Sequence, residues 1–160
     1  MVRKIIVLIL SLFTSTSFNQ NFTYVDKEIN IFKKIEIKKE KSIPVLQTYK
    51  GNITAYGPDC VGCIGITASG YKVKKTIYYY DKEYGKIRIV AADKYLPFGT
   101  IVRISDLKNT NEPIIAIVLD RGSAIGFNKS VYFDLLYKSE KETYSFGKRK
   151  AVFEILRRGY

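Results

Sequence analysis

The chain has 160 residues, 46% of them apolar, which suits one globular domain and argues against intrinsic disorder. Its 27 Lys and Arg against 15 Asp and Glu leave a net charge of +12, which favours polyanionic partners: nucleic acid, anionic lipid or an acidic wall polymer. Histidine is absent and cysteine occurs only twice. That excludes Ser-His-Asp and Cys-His catalysis, imidazole pH switching, and His-ligated or four-thiolate zinc. No metal site or cofactor is expected, and acid–base work falls to carboxylates, Lys, Tyr or Cys.

Residues 1–20 read MVRKIIVLILSLFTSTSFNQ. Arg3 and Lys4 form a positive start, Ile5 to Phe13 an apolar core, and Ser15 and Ser17 the small-residue spacing of a signal-peptidase site. The segment reads as a signal peptide, with an uncleaved N-terminal membrane anchor and a buried helix as alternatives. Its apolar core is about half the ~20 residues of a spanning helix. Export would place the domain outside the cell, in the wall or in a periplasm-like space, where disulfides persist. Residues 21–48 alternate Ile with Lys and Glu and contain Pro44, which reads as a charged linker or as one edge strand.

From Tyr49 to Tyr160, short β-branched and aromatic runs are separated by Gly, Asn, Asp and Pro. They predict strands at 52–56, 76–80, 86–92, 100–105, 113–120, 131–137 and 151–156. PIIAIVL is continuously apolar, so its strand should be covered on both faces. Ser139 and Glu142 fit a capping box, and Gly147 a stop, for a helix near 139–147. This pattern predicts an all-β domain with one or two short helices, closed or nearly closed into a barrel.

Of the seven aspartates, Asp26, Asp59, Asp81 and Asp106 lie in polar surroundings and read as turn formers or solvated loop residues. Asp93, Asp120 and Asp134 differ, because apolar strands deliver each to the edge of a core. A carboxylate beside apolar surface needs donors or a cation, or its pKa rises, and neighbouring carboxylates raise one another further. A carboxyl kept protonated near neutrality can protonate a glycosidic oxygen. The plainer reading is three strand-end turn caps, with Asp120 paired to Arg121 or Lys129. Thr54 and Tyr56, in the T-A-Y segment, are candidates for a sugar groove or for plain barrel positions. Thr100, after Phe98 and Gly99, is a candidate donor to a carboxylate, and Gly99 suits a tight turn. Cys60-x-x-Cys63 reads as a disulfide across a turn-rich loop, or as a redox-active pair.

Together GNITAYGPDCVGCIGITASG (51–70), AADKYLPFGTIVRI (91–104), IIAIVLDRGSAI (114–125) and YFDLLYKSEKETYSFGKRKAVFEIL (132–156) resemble the bacterial three-aspartate ("3D") domain. That family is related to the C-terminal part of membrane-bound lytic transglycosylase A and to rare-lipoprotein-A-like barrels. The resemblance implies a six-stranded double-psi β-barrel over 49–160. It also implies a carboxylate site in a glycan groove and peptidoglycan cleavage by lytic transglycosylation. The family's three aspartates match Asp93, Asp120 and Asp134. The resemblance makes Asp134 the catalytic acid/base, held and tuned by Asp120 and Asp93, with Gly122 and Ser123 in the groove loop. The chain departs from the pattern in a longer stretch between Asp120 and Asp134, and in Ser123 where a second Gly is common.

Other classes remain open on the sequence. A basic barrel could hold peptidoglycan strands or anionic wall polymers without cleaving them, or Asp120 and Asp134 could act as a hydrolytic pair. Nucleic acid is disfavoured by the export signal and the dispersed lysines, Lys148-Arg149-Lys150 being the one tight basic cluster. VLDRGSA echoes an aspartic-protease loop, but no second such loop is visible.

Overall fold

The computed structural model describes residues 43–108 and 110–160. The export signal and most of the charged linker lie outside the described residues. Pro44–Tyr160 forms one compact unit. In chain order it holds β1 (Gln47–Tyr56), β2 (Tyr78–Asp81), β3 (Gly85–Ala92), β4 (Ile101–Ser105), β5 (Ile114–Asp120), β6 (Phe133–Leu136), α1 (Glu140–Thr143) and β7 (Arg149–Arg157). Each segment that the sequence marks as a strand contributes one, and the fold is the all-β, six-stranded barrel expected.

Six strands close on themselves in the order β3-β5-β4-β7-β1-β6, with β6 returning to β3. Two neighbour pairs, β1–β6 and β3–β5, are parallel and the others antiparallel. One edge of β3 is divided. Its first half pairs with β2, which stands outside the closed ring, and its second half with β6. β1 starts at Gln47, before the apolar NITAY run, because antiparallel pairing with β7 from Gln47 to Ile53 satisfies the backbone of its polar first half.

Strand alternation sorts the apolar residues into two cores. Ile53, Val90, Val118, Phe133, Leu135 and Phe153 point into the barrel, where the Phe133 and Phe153 rings meet at 4.6 Å. Ile87, Ile89, Ile117 and Leu119 point outward and are covered by the connection before β2, through Val73 and Ile77. The unbroken apolar run of β5 is explained by this second cover, since Ala116 and Val118 face in while Ile117 and Leu119 face out.

The predicted helix is shorter than the pattern suggested. Ser139 is at the N-cap but makes no side-chain capping bond. Instead Asp59 Oδ1 accepts from the Glu140 amide at 2.6 Å, and Glu140 Oε2 accepts from the Gly57 amide at 2.9 Å. A distant loop thus replaces the local capping box and ties itself to α1. Gly147, at φ 61°, ends the turn in the left-handed region that glycine tolerates. Asp59 is therefore a tertiary link rather than a merely solvated loop residue.

Asp81 is also more than a turn former. Its carboxylate accepts from the Glu83 and Tyr84 amides and pairs with Arg157 of β7. The Arg157 hydrogen bond is the main cause that holds its pKa down, at about 2. A carboxylate depressed in the fold stabilises above the usual carboxylate range, and that contribution is lost as pH falls toward 2. Because the Arg157 side chain is 38% exposed, solvent weakens the pair. Asp81→Asn should lower the unfolding free energy at pH 7 by about 1 kcal/mol. In urea titrations across pH, the difference should vanish near pH 2.

Candidate functional site

Asp134 lies midway along β6, between the inward-facing Phe133 and Leu135, so its side chain faces out of the barrel wall. Strand register sets its neighbours. Across the parallel pair with β1 it faces Thr54, and across the antiparallel pair with β3 it faces Ala91. Ala91 in turn is opposite Asp120, because the β3–β5 register shifts between Val90 and Ala91. Regular pairing would set Leu119 there. The irregularity skips Leu119 and brings Asp120 into line, the re-aiming that a bulge produces. A row Thr54–Asp134–Ala91–Asp120 therefore crosses four adjacent strands, with a small residue between the two carboxylates.

The two carboxylates occupy different environments. Asp120 accepts from the Tyr56 hydroxyl at 2.7 Å and from the Ala68 and Arg121 amides, both at 2.8 Å. It forms neither of the side-chain ion pairs, with Arg121 or Lys129, that the plainer sequence reading offers. Lys129 instead donates to the Ser123 carbonyl. Asp134 has one hydrogen bond, accepted by Oδ1 from Thr54 Oγ1 at 2.8 Å. Burial pushes its pKa up to about 6, the Thr54 bond opposes this, and the negative charges of Glu140 and Asp120 add to it. Burial, then the charge and hydrogen bond of Asp120, then the charge of Asp134, also hold the Tyr56 phenol protonated far above its usual range. Tyr56 is thus a fixed donor to Asp120.

Both carboxylates open into one cleft of about 400 Å³. Tyr56, Ala91, Arg121, Gly122 and Ser123 line its inner side. The 58–66 loop forms a facing wall that includes Ile64 and Ile66. Cys60 and Cys63 lie on that wall and are joined as a disulfide, their Cα atoms 5.1 Å apart. A short cross-link of this kind narrows the conformations open to a Gly-rich loop.

Asp93 is not in this cleft. It lines an adjoining pocket of about 340 Å³ with Lys94, Ile125 and Lys129, and Arg121, Gly122 and Ser123 border both spaces. Asp93 Oδ1 accepts from the Tyr95 amide at 2.8 Å, a strand-end turn. Between the two spaces stands Arg121. Its guanidinium donates to the Ala92, Asp120 and Leu96 carbonyls and lies 4.1 Å over the Phe98 ring. Thr100 is buried away from the carboxylates. It donates to the Pro97 carbonyl at 2.7 Å and accepts from the Gly159 amide at 3.1 Å. The turn before it needs Gly99, at φ 84°. Sequence reasoning overlooked Glu140 and the Ala68 amide, both of which reach the site only through tertiary folding.

Fold and site together define an all-β barrel protein with a pair of unlike carboxylates in a wall cleft. No protein-family model matches the chain. It is 33% identical over 96 residues to the probable endolytic peptidoglycan transglycosylase RlpA of Aquifex aeolicus, covering 59% of this chain and 36% of that protein. Over 115 residues it is 31% identical to the SPbeta prophage-derived uncharacterized protein YorM of Bacillus subtilis, covering 71% of this chain and 44% of that one. The chain thus spans less than half the length of these curated relatives.

A carboxyl whose pKa is raised in the fold destabilises the native state wherever it must ionise. The cost is absent below about pH 4, grows between pH 4 and 6, and is full above pH 6. Asp134→Asn keeps a neutral acceptor for Thr54 and removes that cost. It should stabilise the protein by about 2 kcal/mol at pH 7.5, with the gain shrinking to nothing near pH 4 in chemical denaturation. A loss of stability at pH 7.5 would contradict this electrostatic account.

Proposed function

We propose that the protein belongs with the three-aspartate domains and is an exported, wall-directed lytic transglycosylase. It would cleave the β-1,4 bond between N-acetylmuramic acid and N-acetylglucosamine in peptidoglycan. The observation that carries this reading is Asp134, a half-buried carboxyl with a pKa raised to about 6 at an open cleft. The partial likeness to a protein named as a peptidoglycan transglycosylase agrees with it.

In this mechanism Thr54 occupies Oδ1 of Asp134 and the proton sits on Oδ2. Asp134 gives that proton to the glycosidic oxygen, and the C1–O bond breaks with oxocarbenium character at C1. The carboxylate then takes the proton of the muramoyl C6 hydroxyl as O6 bonds to C1. The products are a 1,6-anhydro end and a free N-acetylglucosamine hydroxyl, and Asp134 is again protonated. No water is activated, so one carboxylate suffices. Asp120, with three donors on its oxygens, supplies fixed negative charge that favours the protonated form of Asp134 and the developing cation at C1. The apolar Ile64 and Ile66 wall would lie along the sugar faces.

Two outcomes are expected with purified sacculi. Mass spectrometry should find 1,6-anhydro muropeptides, and Asp134→Asn should lower their release by about 10²–10⁴-fold. Reducing-end products without anhydro ends would favour hydrolysis by the Asp120–Asp134 pair, and sacculus binding with no release would favour a binding module. Because the general acid must be protonated in the free enzyme, kcat/KM should fall about tenfold per pH unit above about pH 6.

A further inference from the structure

A second pocket, of about 400 Å³, adjoins the carboxylate cleft, with Val73 lining both. Lys74, Lys75, Lys86 and Lys138 surround it, with Tyr78 and Tyr80 between them. None of the described residues that line it is acidic. The lysines come from separate segments: the connection before β2, strand β3, and the turn after β6. Two of the four exposed lysines are held by packing. The Lys74 side chain packs over Gly65 of the cleft wall, and Lys86 Nζ lies 4.2 Å above the Tyr78 ring. Two residues along β3, the largely buried Arg88 guanidinium faces the Tyr78 and Tyr137 rings and donates to the Leu136 carbonyl, while its Nε has no partner. A fifth positive charge therefore stands behind the same face.

Converging ammonium groups repel one another, and an anion among them relieves that repulsion as well as adding its own attraction. The ligand class follows from the residue type. Ammonium groups bind phosphate as compact point charges with no demand for planar geometry, whereas planar bidentate recognition, of carboxylate or phosphate, is served by an arginine fork. The one arginine here is committed to a backbone carbonyl and two rings. Several lysines along one pocket match phosphates that recur along a chain better than a single anion.

We propose that this pocket is a binding site for a phosphodiester polyanion, a wall polymer that runs beside the carboxylate cleft. Binding there needs no cleavage chemistry, so the site stands or falls apart from the reaction proposed for Asp134.

The test is titration calorimetry of the full chain with poly(glycerol phosphate), and with poly-L-glutamate of equal charge as comparison. A variant carrying Lys74→Gln, Lys75→Gln, Lys86→Gln and Lys138→Gln should bind poly(glycerol phosphate) at least about tenfold more weakly than the parent. A control carrying Lys82→Gln, Lys108→Gln, Lys148→Gln and Lys150→Gln loses the same charge elsewhere and should weaken by less than about threefold. If circular dichroism shows the first variant misfolded, Lys86→Gln with Lys138→Gln should still cost more than its control pair, Lys148→Gln with Lys150→Gln. Equal losses in pocket and control variants would reduce the effect to net charge and overturn the proposal. So would absence of binding by the parent, or equally tight binding of poly-L-glutamate.

Discussion

The register shift between Val90 and Ala91 is the constraint on which the site depends. In an unbroken β3–β5 ladder, Leu119 would stand opposite Ala91 and the outward row would be Thr54–Asp134–Ala91–Leu119. Leu119 belongs to the outer apolar core, where the connection before β2 covers it. By skipping one residue the barrel keeps Leu119 in that core and still presents Asp120 beside Asp134. The same strand therefore serves packing and chemistry, and one backbone irregularity separates the two uses. Ala91 completes the arrangement: almost fully buried, it forms a floor between the carboxylates that a larger side chain would fill.

Placing two carboxylates near one another is not enough to give one of them a raised pKa. Burial does most of that, and a single donor offsets it only in part. Asp120 receives a phenol hydroxyl and two amides, so negative charge there is compensated at close range. Asp134 receives one hydroxyl in a more enclosed place, so burial dominates and Thr54 only partly offsets it. The charge of Asp120 then works on Asp134. Burial thus sets Asp134 apart from its neighbour without any difference in residue type. The 57–66 loop extends this control. Through Asp59 and Gly57 it holds Glu140, whose charge also favours the protonated form of Asp134.

The strands were legible because their cause is local: β-branched and aromatic runs between turn residues need no knowledge of partners. The unbroken run of β5 even announced a cover on its outer face. Asp120 and Asp134 stood out because apolar strands carry few carboxylates. Asp93 looked the same in sequence, yet it lies on the other side of Arg121, whose guanidinium is fixed by three backbone carbonyls. Nothing in the run IVAAD distinguishes a residue that turns into the cleft from one that turns away from it. The capping box at Ser139 failed for a related reason. Its spacing was right, but the Glu142 amide goes to the Ser139 carbonyl rather than to its hydroxyl, and Asp59, 81 positions away, takes the Glu140 amide. Local patterns rank what a segment can do alone, and long-range partners decide among those options.

The two basic and acidic features of this surface are complementary. A cleft that keeps a carboxyl protonated repels anions, since Asp120 and Glu140 place negative charge near it. An anionic wall polymer would therefore be excluded from the cleft itself. The lysine pocket beyond Val73 offers the opposite field within the same face of the barrel. At physiological ionic strength charges act over a Debye length of about 8 Å, so neighbouring sites can carry opposite preferences with little mutual cancellation. Among the described residues the positive charge is thus not a uniform coat. On the proposed reading a glycan would meet the carboxylates, and an anionic polymer would meet the lysine pocket beside them.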